Sequence, residues 1–160
     1  MTSAIGNTFF FDWEITFMEW LQARLPEWCT PIVSAFSIFG EELLLVAIMG
    51  FLFWSYDKKL GKAVGINMLV ANVWCPMIKN IFLRLRPYFA SDKIDLLRKI
   101  DNSAEITDVA AQGYSFPSGH SANAVAVYGT IADKLKKKWM LALAIVLPLL
   151  VGFSRVAVGA

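Results

Sequence analysis

The 160-residue sequence has one histidine, His120, and two cysteines, Cys29 and Cys75. Two cysteines are too few for a disulfide framework, and without a Cys/His cluster a zinc site has no ligand set. Cys75 sits inside an apolar block and reads as a plain buried residue. Charge is also scarce. Only 18% of residues are charged and the net charge is +2, so no global field gathers nucleic acid. No cleavable signal peptide is visible in the first 28 residues, which lack a basic start followed by an apolar centre and a small-residue cleavage site. There is no internal repeat and no low-complexity tract.

Apolar residues are abundant. They make up 57% of the chain, and the mean hydropathy is +0.53. Soluble domains run nearer half apolar and a quarter charged. The length would suit one soluble domain, but the apolar residues come in long blocks with the charges in short clusters between them. The fold class this implies is all-α, an integral-membrane helical bundle with about four crossings.

Residues 1–28 interleave Phe9, Phe10, Phe11, Trp13, Ile15, Phe17, Met18, Trp20 and Leu21 with Asp12, Glu14, Glu19 and Arg24. This predicts an amphipathic helix lying in a membrane interface. Residues 29–160 form the membrane domain. Residues 30–56 are apolar except for Glu41 and Glu42. Adjacent carboxylates at mid-bilayer are costly, which puts residues 40–42 at a membrane surface and the first crossing at about 43–56. The second crossing is 61–85, with a kink expected at Pro76. Residues 86–117 are polar and of mixed charge, with a short surface helix predicted over 91–100 behind Ser91 as its N-cap. The third crossing, 118–135, is rich in small residues that let helices approach closely. The fourth runs from Trp139 into the last residue, Ala160, with no polar flank, which suggests a truncated chain.

Orientation follows from lysines. Lys58, Lys59 and Lys62 flank one short loop, and Lys134, Lys136, Lys137 and Lys138 flank another. Positive loops stay in the cytoplasm. The two loops are separated by two crossings, so they agree, and the 86–117 loop is expected outside.

Three groups of residues bear chemistry. Lys79 and Arg86 are seven residues apart, about two helical turns, so they share a face, while Arg84 points away from it. Both could instead be snorkelling anchors. Ser118, Gly119 and His120 follow Pro117 where a helix begins. Helix-start amides favour anions, and histidine exchanges protons near neutral pH. Ordinary capping is the alternative there. Arg155 lies late in the fourth crossing, as a cavity residue or an anchor. The lysine-derived topology brings all six to one membrane face. Three cations, helix-start amides and an acid/base imidazole together suit phosphate, because phosphoryl transfer needs mainly positioning and charge stabilisation.

The order Lys-x6-Arg-Pro (79–87), Pro-Ser-Gly-His (117–120) and Ser-Arg (154–155) resembles the type-2 phosphatidic acid phosphatase superfamily, over about residues 36–160. The resemblance implies that Lys79, Arg86 and Arg155 bind phosphate oxygens and that Ser118 and Gly119 donate hydrogen bonds to them. It makes His120 the general acid that protonates the leaving group. It implies no metal and no cofactor, a membrane phospholipid or polyprenyl (di)phosphate substrate, the lipid bilayer as surroundings, and a multi-pass protein of the cytoplasmic membrane with its site on the extracytoplasmic side. The family's third motif continues Ser-Arg-x5-His-x3-Asp, and the sequence stops after the five intervening residues. The nucleophile histidine that forms a phosphohistidine, its orienting aspartate and the family's final helix would all be missing, so residues 1–160 are expected to be inactive. Two other readings stay open at this point: a noncatalytic phosphate binder, and a small anion transporter, which should show inverted repeats. Nothing in the sequence specifies an oligomeric state.

Overall fold

The structure, a computed structural model, describes residues 11–26, 28–89, 94 and 113–159. Every regular element among the described residues is helical. The elements are α1 (Asp12–Arg24), α2 (Cys29–Ala35), a 3-10 segment (Phe36–Gly40), α3 (Glu42–Phe51), a π-helical segment (Leu52–Tyr56), α4 (Lys58–Phe82), a 3-10 turn (Pro87–Phe89), α5 (Gly119–Leu135) and α6 (Lys138–Ala157). The surface helix expected over residues 91–100 lies outside the described residues.

Local chemistry sets the helix ends. The Asp57 carboxylate accepts from the amides of Lys59 (2.7 Å) and Leu60 (3.4 Å) and starts α4. Leu83 takes a left-handed conformation (φ 47°) and ends it. Ser118 caps α5, and Lys136 ends that helix with φ 51°. Pro76 falls inside α4 and Pro148 inside α6. By length and composition α6 is apolar enough to cross a membrane, and only 28% of its apolar window is buried, unlike a soluble core helix. The segments Cys29–Gly40 and Glu42–Tyr56, bent by 47°, qualify together as one broken span. The other two expected crossings do not meet that test. α5 has 17 residues, and α4 carries Asn67, Asn72, Lys79 and Asn80 among its apolar residues.

The chain forms two compact units. One comprises residues 36–76 and 118–153. Its core takes one fully buried side chain from each of four helices: Leu45, Val64, Val127 and Val151. Gly61 lets the backbones close in, since a Cβ there would lie 2.5 Å from the Phe53 backbone. Two amide rungs tie α4 to α5. Asn67 Nδ2 donates to Thr130 Oγ1 at 2.7 Å, and Asn123 Nδ2 donates to Asn72 Oδ1 at 2.8 Å. The second rung extends to α3, where Asn72 Nδ2 donates to Glu42 Oε1 at 3.2 Å. Along α4 the pairing positions rise from 67 to 72 while along α5 they fall from 130 to 123, so the helices run antiparallel. Lys58 and Lys59 therefore share one end of this unit with Lys134 and Lys136–Lys138, and Ser118 lies at the other. Glu42, expected at a membrane surface, is engaged with Asn72 in this ladder.

The other unit comprises residues 1–35, 77–117 and 154–160. In it α1 departs from the single apolar face expected of an amphipathic helix. Trp13, Phe17 and Trp20 form an exposed stripe at helical spacing, and the Arg24 guanidinium lies 4.7 Å above the Trp20 ring. Met18 and Leu21 are buried on a second face. That face is held by Glu14, which accepts from Arg84 at 2.7 Å, and by Gln22, whose amide donates to the Ala157 carbonyl at 3.2 Å. Two adjacent apolar faces widen the apolar side of α1, because it packs within its unit as well as presenting aromatic rings outward, and Asp12, Thr16 and Glu19 are left on the remaining side.

Candidate functional site

Of the six residues singled out in the sequence, Ser118, Gly119 and His120 fall in the unit of residues 36–76 and 118–153, and Lys79, Arg86 and Arg155 fall in the other.

Ser118, Gly119 and His120 are half-buried at the start of α5. Ser118 has extended backbone, and its Oγ accepts from the Ser121 amide at 3.4 Å and from the Ser121 hydroxyl at 3.2 Å. The capping alternative is therefore realised. It is compatible with anion binding, because accepting two hydrogen bonds leaves the Ser118 proton to donate. The amides of the first turn have no acceptor within the helix and form the positive end of its dipole. Gly119 is not demanded by packing, since a Cβ there would find the Cys75 sulfur at 3.9 Å, an ordinary contact. Gly119→Ala is thus expected to leave thermal unfolding of the purified chain unchanged while weakening phosphate binding, because the methyl group would occupy the approach to the amides. Equal phosphate affinity in both proteins would remove Gly119 from the site.

Sequence reasoning missed what holds this helix start. A Cβ on Gly40 would lie 2.6 Å from the His120 carbonyl oxygen and 2.8 Å from Val151 Cγ1, so glycine lets the 3-10 segment lie directly against the His120 backbone. The Tyr128 hydroxyl donates to the Phe39 carbonyl at 3.0 Å and fixes the same segment to α5. The only sequence signal was a glycine ahead of two glutamates, which reads as a surface break.

In the other unit Arg86 is 3% and Arg155 7% exposed. A snorkelling anchor keeps its head in water, so burial argues against that alternative for both arginines. Arg86 follows the end of α4, and its Nε donates to the Gly113 carbonyl at 3.0 Å. Gly113 has φ 71°, a conformation that favours glycine. Ser115 fastens the same stretch, donating from its amide to the Arg84 carbonyl at 2.9 Å and from its hydroxyl to the Leu85 carbonyl at 3.0 Å. Burial pulls the Arg86 guanidinium below the usual arginine range, and the nearby Tyr88 pushes it back up. It remains a cation at neutral pH. Lys79 is half-buried on the last turn of α4. Arg84 is committed to Glu14. The helical face expected to carry both Lys79 and Arg86 is not formed, because α4 ends at Phe82 and the left-handed Leu83 turns the chain before Arg86 is reached. Among the described residues no group of three or more His, Cys, Asp or Glu side chains is placed to hold a metal ion.

Buried guanidinium groups and a capped helix start are parts that bind oxyanions, and sequence comparison gives them a family. The model of the PAP2 superfamily matches residues 59–160, a span that contains all six candidate residues. The chain belongs to the PAP2 superfamily. A crystal structure described as the first transmembrane PAP2-type phosphatidylglycerolphosphate phosphatase, from Bacillus subtilis, shares the fold of this PAP2 chain. The TM-score is 0.73 at 23% sequence identity, covering 92% of this chain and 72% of the other. Comparison with curated proteins found no significant match.

Proposed function

We propose that this PAP2 chain belongs to an integral-membrane phosphatase that hydrolyses a phosphomonoester or diphosphate on a membrane lipid. The observation that carries the reading is the burial of Arg86 and Arg155 in a chain of this superfamily. Guanidinium groups withdrawn from water are matched to an oxyanion through their planar fork. The solved relative with the same fold is a lipid phosphatase by its description, which agrees with a lipid substrate.

In the proposed site Lys79, Arg86 and Arg155 neutralise the equatorial oxygens of one phosphate. The Ser118 hydroxyl and the Gly119 amide donate to them, and His120 protonates the leaving alkoxide or phosphate. This assignment follows the order of the three motifs and the lysine-derived topology. The lysine ends of α4 and α5 are placed in the cytoplasm, and the start of α5 on the extracytoplasmic side. The chain then crosses the membrane about four times, with α4 and α5 among the crossings. Residues 1–28 rest in the interface through the Trp13, Phe17 and Trp20 stripe, and 29–160 make up the membrane domain.

Binding and turnover separate in this scheme. The family's nucleophile is a second histidine, and the 160 residues hold only His120. Residues 1–160 alone are expected to bind phosphate without releasing it from esters. A panel of phosphatidate, phosphatidylglycerol phosphate and undecaprenyl diphosphate tests this. Phosphate release above a mock preparation, lost in His120→Ala, would overturn the expected inactivity. With protein that carries the whole third motif, the panel should show release that His120→Ala lowers by about 10²–10⁴-fold. No release from any of the three lipids by that protein would overturn the phosphatase reading.

A further inference from the structure

The phosphatase chemistry uses nothing at the lysine end of the unit formed by residues 36–76 and 118–153. There α5 and α6 leave a cavity of about 430 Å³ between them. Its wall is apolar and small, with Gly129, Ala132, Leu141 and Ala144, and its rim carries Lys136, Lys137 and Lys138. A second cavity, about 490 Å³, shares Ala144 and Ile145 with it and is lined along the same two helices by Val125, Leu149 and Phe153. Together they make an apolar groove with cations at one mouth.

We propose that this groove binds an anionic phospholipid, with its phosphate on Lys136–Lys138 and an acyl chain along α5 and α6. The proposal rests on the membrane placement above and is independent of the phosphatase reading.

Three observations support it. First, the charge is one-sided. The rim has one carboxylate, Asp133, whose Oδ2 already lies 3.8 Å from Lys134 Nζ, against three exposed lysines. Basic clusters at the cytoplasmic ends of membrane helices attract anionic headgroups. Second, the left-handed turn at Lys136 ends α5 immediately before α6 begins at Lys138, so three consecutive lysines wrap the mouth instead of spreading along one helix. Third, the groove is unfilled at its small-residue wall, since a Cβ built on Gly129 meets nothing within 4 Å. An acidic peptide would find charge at the mouth but no polar partners along the apolar walls, whereas an acyl chain fits them.

The test is lipid retention by the delipidated 160-residue chain in detergent, read by native mass spectrometry. The probes are dioleoyl phosphatidylglycerol and dioleoyl phosphatidylcholine. Phosphatidylglycerol should be retained in preference to phosphatidylcholine. Lys136→Gln, Lys137→Gln and Lys138→Gln should each lower its retention by about fivefold and leave phosphatidylcholine unchanged. Gly129→Leu should fill the groove and reduce retention without lowering the unfolding temperature, so it decides the matter even if a lysine variant folds poorly. Equal retention of the two lipids would overturn the proposal. Full retention by both the lysine variants and Gly129→Leu would do so as well.

Discussion

Arg86→Leu is expected to abolish measurable binding of inorganic phosphate by the purified chain, followed by ³¹P NMR line broadening. Removing one partner of a desolvated charge pair costs about 2–5 kcal/mol, equivalent to roughly 30- to 4,000-fold in affinity. The side chain is 3% exposed, so leucine suits its surroundings. The substitution also removes the charge-assisted hydrogen bond from Arg86 Nε to the Gly113 carbonyl at 3.0 Å, which costs about 1.5–3 kcal/mol and should lower the unfolding midpoint. Phosphate titration at a temperature where both proteins are folded separates a ligand role from a structural one. Arg86→Lys keeps the charge and loses the fork, and it should fall between the two. If Arg86→Leu bound phosphate as the parent chain does, the guanidinium would have no part in the site.

The second large effect is expected at Gly40. Gly40→Val should lower the unfolding midpoint by roughly 3–10 °C, because a Cβ 2.6 Å from the His120 carbonyl oxygen meets backbone that cannot rotate away. The strain falls on the first turn of α5, so phosphate affinity should drop as well. Gly129→Ala is the matched control. It adds a Cβ to the same helix where nothing lies within 4 Å, and glycine-to-alanine exchange in a helix interior is worth up to about 1 kcal/mol of added stability. Circular dichroism melts of the two proteins should shift in opposite directions. A Gly40→Val melt that matched the parent would mean the 3-10 segment does not set the position of the helix start.

Much of the helical layout was readable because its signals are local. Pro117 and Ser118 announced the start of α5, and the lysines marked the end of α5 and the start of α6. The seven-residue spacing of Lys79 and Arg86 misled, because α4 stops at Phe82 and the left-handed Leu83 takes Arg86 off the helix. Features that depend on tertiary contact were not readable. Asn67, Asn72, Asn123 and Thr130 looked like ordinary residues of apolar crossings, because a hydrogen bond between helices leaves no trace in the spacing along either one. The second apolar face of α1 was hidden for the same reason, since Met18 and Leu21 reveal their burial only through their neighbours. The crossing count was hard to read from α4, where amides break up an apolar run, and from the broken Cys29–Gly40 and Glu42–Tyr56 pair.

The paired amides between α4 and α5 have one more consequence. One contact would act as a pivot, but two at different heights act as a ruler. Sliding α5 lengthwise breaks both Asn67–Thr130 and Asn72–Asn123, and swivelling it breaks at least one. The depth at which the first turn of α5 presents its amides is therefore gauged by side chains paired along the shaft, and an exchange of Asn67 or Asn72 for leucine would reset that depth from a distance.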